Sequence, residues 1–547
     1  VTAGARIPGS DDAPRLSDRK MLGSGSMSVS SAGESSRRGA LRGARMPRPP
    51  AVLDPLIVGV PAAAVSLGGA ARPSFWYDEA ATISASYGRS LAQLWRMLSN
   101  VDAVHGLYYL LMHGWFRVFP PTEFWSRAPS GLAIGGAAAG VVVLGKQFSS
   151  RAVAVAAGVI CGLLPRSTWA GVEARPYAVS MMAAVWLTVL LVHAARTDNT
   201  SVWLSYGILL AMSILLDVYL VLLLLAHVVF IGVFASRRMV LVHFATTSAL
   251  AFCALTPFMV VAIGQAHQIS WIAPIGRRTI EDVAIQQYFE RCPPFAIMSA
   301  LVIVTAVVLW RFTSARPVDA DRQLLSLATG WLVIPTALVV AWSAWVHPIY
   351  TPRYLCFTAP AVALILGVCI GAVAVSPWAT TAVVGLFAVV AVPNYVQAQR
   401  SPYAKYGMDY SRVADLIAAK AAPGDCLLVN DTVTFMPAPM RPLMAARPDA
   451  YRKLVDLTLW QQATDRNDVF DTNLIPEVVA EPLSHCRVVW IITEADTSMP
   501  AHEQASMLPP GPRFGATPAF AVPRGLGFRL VERWQFNLVQ VIKARRP

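Results

Sequence analysis

HGLYYLLMHGWFRVF, residues 105–119, is apolar, aromatic and short. Whether it crosses a bilayer settles the sidedness of everything after it. A spanning helix needs about 20 consecutive apolar residues, and this run has only about 15, interrupted by His113 and Arg117. Better candidates flank it, at about 52–70, 128–146, 152–166, 176–195, 202–217, 218–235, 240–263, 295–312, 324–346, 354–375 and 378–396. That makes about eleven spans. Basic connectors belong on the cytoplasmic side, and they are the Arg-rich tail before residue 50, then 145–151, 193–197, 235–239 and 311–322. If all are inside, the connectors at 71–127, 167–175, 217, 264–294, 347–353 and everything after 397 are outside. That holds only if 105–119 does not cross. It is therefore read as an interfacial or re-entrant helix within the first outer loop.

Composition agrees with a polytopic membrane protein. Of 547 residues, 55% are hydrophobic and 14% charged, against roughly 25% charged in a soluble domain. The net charge of +13 sits largely in short Arg-rich stretches beside apolar runs, so it does not argue for nucleic acid. The expected organisation has three parts. Residues 1–50 are a disordered cytoplasmic tail rich in Gly, Ser and Arg. Residues 51–396 are the helical membrane domain, with outer loops at 71–127 and 264–294. Residues 397–547 form a small extracytoplasmic α/β domain, because DYSRVADLIAAKAAPGDCLLVNDT reads as helix, turn and strand, and CRVVWIITEA alternates like a strand.

Seven cysteines are scattered, with no metal-ligand spacing. Cys161, Cys253, Cys356 and Cys369 lie in apolar runs and read as small buried hydrophobes. Cys426 and Cys486 both open strand-like runs, and an extracytoplasmic location would allow them to form a disulfide.

Polar residues gather on the expected outer side. They are Tyr77-Asp78-Glu79, Asp102-x-x-His105 with Tyr108 and Tyr109, Arg127, Glu173-Ala-Arg175-Pro-Tyr177, Asp217, and Arg353-Tyr354. Ionisable groups at a membrane boundary are costly unless paired or hydrated, which makes them candidate functional groups. Each also has a plainer reading. Asp78 and Glu79 suit the first turn of a helix. The arginines suit snorkelling anchors, and the tyrosines and tryptophans, Trp76 among them, suit an interfacial belt. Lys405 and Tyr406 read as surface residues. The convergence of acids and arginines on one side favours chemistry. A carboxylate can take a proton from an acceptor hydroxyl, and arginine binds phosphate oxygens in a two-pronged contact.

The motifs WYDEA (76–80), DAVHGLYYLL (102–111), SRAPSGLAIG (126–135), EARPYAVSM (173–181), SWIAP (270–274) and TPRYLCFTAPA (351–361) carry a resemblance. The chain resembles the C-type (GT-C) membrane glycosyltransferases that use polyprenyl-phosphate sugars, most of all the group of protein O-mannosyltransferases and lipid A aminoarabinose transferases. The resemblance covers about 50–400. It implies an inverting sugar transfer outside the cytoplasmic membrane, with Asp78 as base and Glu79 beside it, orienting the acceptor or a nearby arginine. It implies that Arg127, Arg175, Arg353, Tyr177 and Tyr354 hold the donor phosphate or shape its pocket. Asp102, His105, Glu173 and Asp217 would position the acceptor or the loops. One departure is visible: the family often has His-Pro-Pro after the outer-loop Asp, and here it is His105-Gly106-Leu107. The composition and Arg-rich N-terminus look like a high-GC actinobacterial protein, whose donors would be decaprenyl-phosphate mannose or arabinose. No cofactor is demanded, although a carboxylate pair can hold a divalent cation. A lipid-linked-sugar transporter or a non-catalytic envelope scaffold are the alternatives.

Overall fold

A computed structural model describes residues 53–234, 237–313, 316–430, 434–435, 438–495 and 518–547. The expected tail at 1–50 lies outside the described residues. Among those described, seven helical segments are long and apolar enough to cross a membrane: 123–148, 177–197, 238–264, 293–312, 319–345, 352–373 and 377–399. Four shorter apolar helices accompany them, at 53–67, 151–163, 200–216 and 218–234. These helices coincide with the runs read from the sequence. The fold is a helical polytopic membrane protein with a small C-terminal sheet domain.

The first apolar helix, α1 (Leu53–Leu67), is followed by three short helices: α2 (Tyr77–Ser86), α3 (Leu91–Asn100) and α4 (Gly106–Trp115). Helix α4 has 10 residues. At 1.5 Å per residue it covers about 15 Å, half of a hydrocarbon core. Helix α4 is by itself too short to span. The chain then enters α5 (Glu123–Phe148), which packs along α1. Small residues make that contact close. A Cβ on Gly135 of α5 would come within 2.6 Å of the Gly59 carbonyl oxygen on α1. Backbone-to-backbone approach of this kind is a main source of cohesion between helices in lipid, where burial gives little drive.

Connectors segregate to the two ends of the bundle. At one end, Asp54 pairs with Lys146 (2.5 Å) and Arg151 (2.6 Å), and Arg196 donates to the carbonyl of Gln147 (2.7 Å). The basic connectors 145–151 and 193–197 therefore meet. At the other end, the loops carrying the candidate residues converge. Gln265 binds both the Ala103 amide (2.8 Å) and the Leu98 carbonyl (2.9 Å), which docks the segment after helix 238–264 onto the first loop. Arg166 pairs with Glu290 at 2.5 Å and anchors the far end of the same segment.

The C-terminal sheet has five strands, β1 (Cys426–Val429), β2 (Val455–Asp456), β3 (Val488–Glu494), β4 (Arg529–Gln535) and β5 (Val539–Arg545), in the spatial order β2-β1-β3-β5-β4. Strand β1 pairs parallel with β2 and β3, whereas β5 pairs antiparallel with β3 and β4. Cys426 and Cys486 are joined by a disulfide. The sheet does not stand alone. Leu427, Trp490 and Trp534 share one buried cluster with Phe75, Trp76, Tyr108 and Tyr109 of the first loop. This shared core fixes the sheet against the start of α2.

Candidate active site

Asp78 and Glu79 occupy the first turn of α2, whose N-cap is Trp76 with no side-chain cap bond. Neither acid caps the helix. Successive residues on a helix point about 100° apart, so neighbouring acids can have opposite environments.

Glu79 is fully buried. Its carboxylate accepts from Arg127 Nε (2.7 Å) and Nη2 (2.6 Å), and from the Ala174 amide (2.9 Å). Arg127 also donates to the carbonyls of Ala70 (2.7 Å), Pro73 (2.7 Å) and Ser74 (3.1 Å). A guanidinium has five N–H donors, and all are engaged within the protein. Arg127 therefore has none left for a further ligand; it clamps the turn that leads into α2.

Glu173 is likewise buried. It accepts from Trp76 Nε1 (2.8 Å) and forms an ion pair with Lys405. Burial pushes its carboxyl up, against the opposing pull of Lys405. Two sequence expectations are corrected here. Lys405 is not a surface residue, since its side chain is 1% exposed. Trp76 is not a belt residue: its ring is 1% exposed and its N–H is held by Glu173. A buried ammonium is tolerated because a buried carboxylate faces it.

Asp78 is different. Its side chain is 16% exposed, and its partner is Arg353 at 3.6 Å, beyond direct hydrogen-bonding distance. Arg353 lies over the rings of Trp76 (5.4 Å), Trp271 (5.2 Å) and Tyr354 (5.7 Å) and donates to the Tyr406 hydroxyl (3.1 Å). Arg175 contacts His105 Nε2 (2.7 Å), the Tyr109 hydroxyl (3.1 Å) and the Asp78 carbonyl (3.4 Å). Among the described residues, Arg175 Nε, Arg353 Nε and the Tyr177 hydroxyl are buried without a partner. Buried donors of this kind are costly unless a ligand or water engages them.

The remaining candidates support this centre. Asp102, in a left-handed conformation (φ 58°), accepts from the Tyr109 hydroxyl (2.8 Å). Burial raises its carboxyl above the ordinary range. Asp217 accepts from the Tyr219 amide (3.0 Å), and the Tyr219 ring packs on Tyr354 at 5.3 Å. Asp217 thus connects to Tyr354 through Tyr219. Among the described residues, no group of three or more His, Cys, Asp or Glu side chains is arranged to hold a metal ion. The Asp78–Glu79 pair does not fit a two-carboxylate cation site, because Glu79 is committed to Arg127 and the Ala174 amide.

Burial, then the charges of Arg175 and Arg353, hold the His105 pKa well below 6.5. The ring is neutral at pH 7, and Nε2 accepts from Arg175. On unfolding the ring regains its ordinary pKa, so the unfolded chain binds the extra proton. Stability from this source is complete above about pH 6.5 and falls as pH drops below it. Thermal unfolding at pH 7.5 and 5.5 checks the sign: His105→Asn should lose less Tm on acidification than wild type.

No family model and no curated protein matches the chain. Solved structures of one protein share its fold. ArnT from Cupriavidus metallidurans in the apo state aligns over 89% of this chain and 97% of its own, with TM-score 0.52 and 11% identity. The same protein bound to undecaprenyl phosphate aligns over the same shares, with TM-score 0.51 and 12% identity.

Proposed function

We propose that the protein is a membrane glycosyltransferase that moves a sugar from a polyprenyl-phosphate donor to a hydroxyl of an envelope glycan, glycolipid or protein. Mannose is the favoured sugar and arabinose the second candidate. The observation that carries the reading is one open carboxylate, Asp78, beside two arginines whose Nε donors have no protein partner. The fold is that of a protein solved with undecaprenyl phosphate bound, which supports a lipid phosphate as ligand.

In the proposed reaction, the acceptor hydroxyl oxygen attacks C1 of the sugar and forms the new glycosidic bond. The C1–O bond to phosphate breaks, and its electron pair leaves with the polyprenyl phosphate. The hydroxyl proton passes to the Asp78 carboxylate. Arg353 and Arg175 stabilise the charge that develops on the departing phosphate. Attack opposite the leaving group inverts the anomeric centre. Arg127, Glu79, Glu173 and Lys405 touch none of the reacting atoms in this scheme; they hold the turn before α2 and the 173–175 loop in register.

The proposed location is the cytoplasmic membrane, with the site on its outer face. Basic connectors at the opposite end of the bundle and the Cys426–Cys486 disulfide support that orientation. The test is donor binding. Arg353→Gln should weaken decaprenyl-phosphate binding about tenfold or more with Tm unchanged, because one charge-assisted contact is lost. Unaltered affinity in that variant would contradict the phosphate assignment.

A further inference from the structure

The segment between helix 377–399 and helix 410–420 belongs to neither the bundle nor the sheet, yet it touches Trp76 and Arg353 of the candidate site. We infer that Tyr406 is a positioning residue of the donor pocket, held in place by a strap, residues 405–409, that the C-terminal sheet domain pins down. The inference rests on the proposed reading of Arg353 as a phosphate ligand.

Tyr406 meets two residues of the pocket at once. Its ring lies 4.6 Å from that of Trp76, and its hydroxyl accepts from Arg353 Nη1 at 3.1 Å. It keeps 48% of its surface open, so it is not a core residue placed for packing alone. Its contact with Arg353 uses one Nη while Nε stays unpartnered within the described protein. The guanidinium is thus oriented without being used up.

The backbone there is unusual. Tyr406 (φ 54°) and Gly407 (φ 78°) are consecutive left-handed residues. For a tyrosine that conformation persists only where the surroundings dictate it. Both sides of the strap supply the constraint. Toward the bundle, Lys405 is buried in its ion pair with Glu173, and Glu173 also holds the Trp76 N–H. Toward the sheet, the Asn537 side chain donates to the Gly407 carbonyl (2.7 Å), and a Cβ at 407 would come within 2.8 Å of that same nitrogen. The Asp409 carboxylate accepts from the amides of Leu538 (2.7 Å) and Val539 (3.0 Å), at the turn between β4 and β5. The sheet domain therefore fixes Asp409 and Gly407, the strap fixes Tyr406, and Tyr406 fixes Arg353 against Trp76. This gives the C-terminal domain a role in donor binding that runs through the strap.

The experiment uses the full chain in nanodiscs, with decaprenyl phosphate as probe and Tm as the control. Tyr406→Phe keeps the ring and removes the hydroxyl, and should weaken binding about fivefold with Tm unchanged. Tyr406→Ala removes both contacts and should weaken it further. Asn537→Ala removes the side-chain bond to the Gly407 carbonyl and should weaken binding in the same direction. Wild-type affinity in Tyr406→Phe, or a loss of affinity matched by a fall in Tm, overturns the inference. Arg353→Gln separates the two claims. If it weakens binding and Tyr406→Phe does not, only the positioning role fails. If Arg353→Gln has no effect, the phosphate reading fails with it.

Discussion

Replacing Asp78 by asparagine is expected to lower sugar transfer about a thousandfold while fold and donor binding persist. The fold should survive because Asp78 neither caps α2 nor forms a close ion pair; its nearest cation is 3.6 Å away. Asparagine has nearly the same shape. The amide cannot take the acceptor's proton, so attack would have to proceed from a neutral hydroxyl with no base. Removing a negative charge beside Arg353 should leave affinity for an anionic lipid equal or slightly higher. Rates of label transfer, with decaprenyl-phosphate binding measured in parallel, check both halves. Full activity in a normally inserted variant would remove Asp78 from the mechanism.

Arg127→Ala should fail differently, by destabilising the protein. Both partners of the Arg127–Glu79 pair are 0% exposed. Removing one member of a buried pair typically costs about 3–5 kcal/mol, because the other charge is left without compensation. A domain's whole stability is about 5–15 kcal/mol. Arg127 also satisfies the carbonyls of Ala70, Pro73 and Ser74, which would be orphaned together. The variant is expected to accumulate poorly, or to melt far below wild type in detergent. Glu79→Gln keeps the shape and one acceptor, and should lose less. A variant lacking Arg127 that melts like wild type but no longer binds donor would mean that this arginine contacts the phosphate after all.

The membrane architecture was legible because span length and the distribution of basic residues are one-dimensional properties. The shortness of the helix within 105–119, ten residues at Gly106–Trp115, was legible too, because its ionisable interruptions are visible in the sequence. The different fates of Asp78 and Glu79 were not legible. Adjacent acids look alike in a sequence, and only the direction of each on α2 sends one into a closed pair and leaves the other open. Lys405 was misread for a related reason. Its partner, Glu173, lies 232 residues away, and no local pattern distinguishes an exposed lysine from one that neutralises a distant buried acid. Trp76 was taken for an interfacial anchor because its aromatic neighbourhood suits one; its bond to Glu173 shows only in three dimensions. Strand β1 was suggested by the turn before it and β3 by alternation, but the mixed parallel and antiparallel order of the sheet depends on long connections that carry no pairing signal.

The most direct test is transfer from a defined donor by the purified full-length protein in nanodiscs. Radiolabelled decaprenyl-phosphate mannose and decaprenyl-phosphate arabinose would be offered separately, with a membrane extract as acceptor. The account predicts that label moves from one of them to an acceptor with wild type and not with Asp78→Asn. Tight binding of decaprenyl phosphate with no transfer from either donor would contradict it.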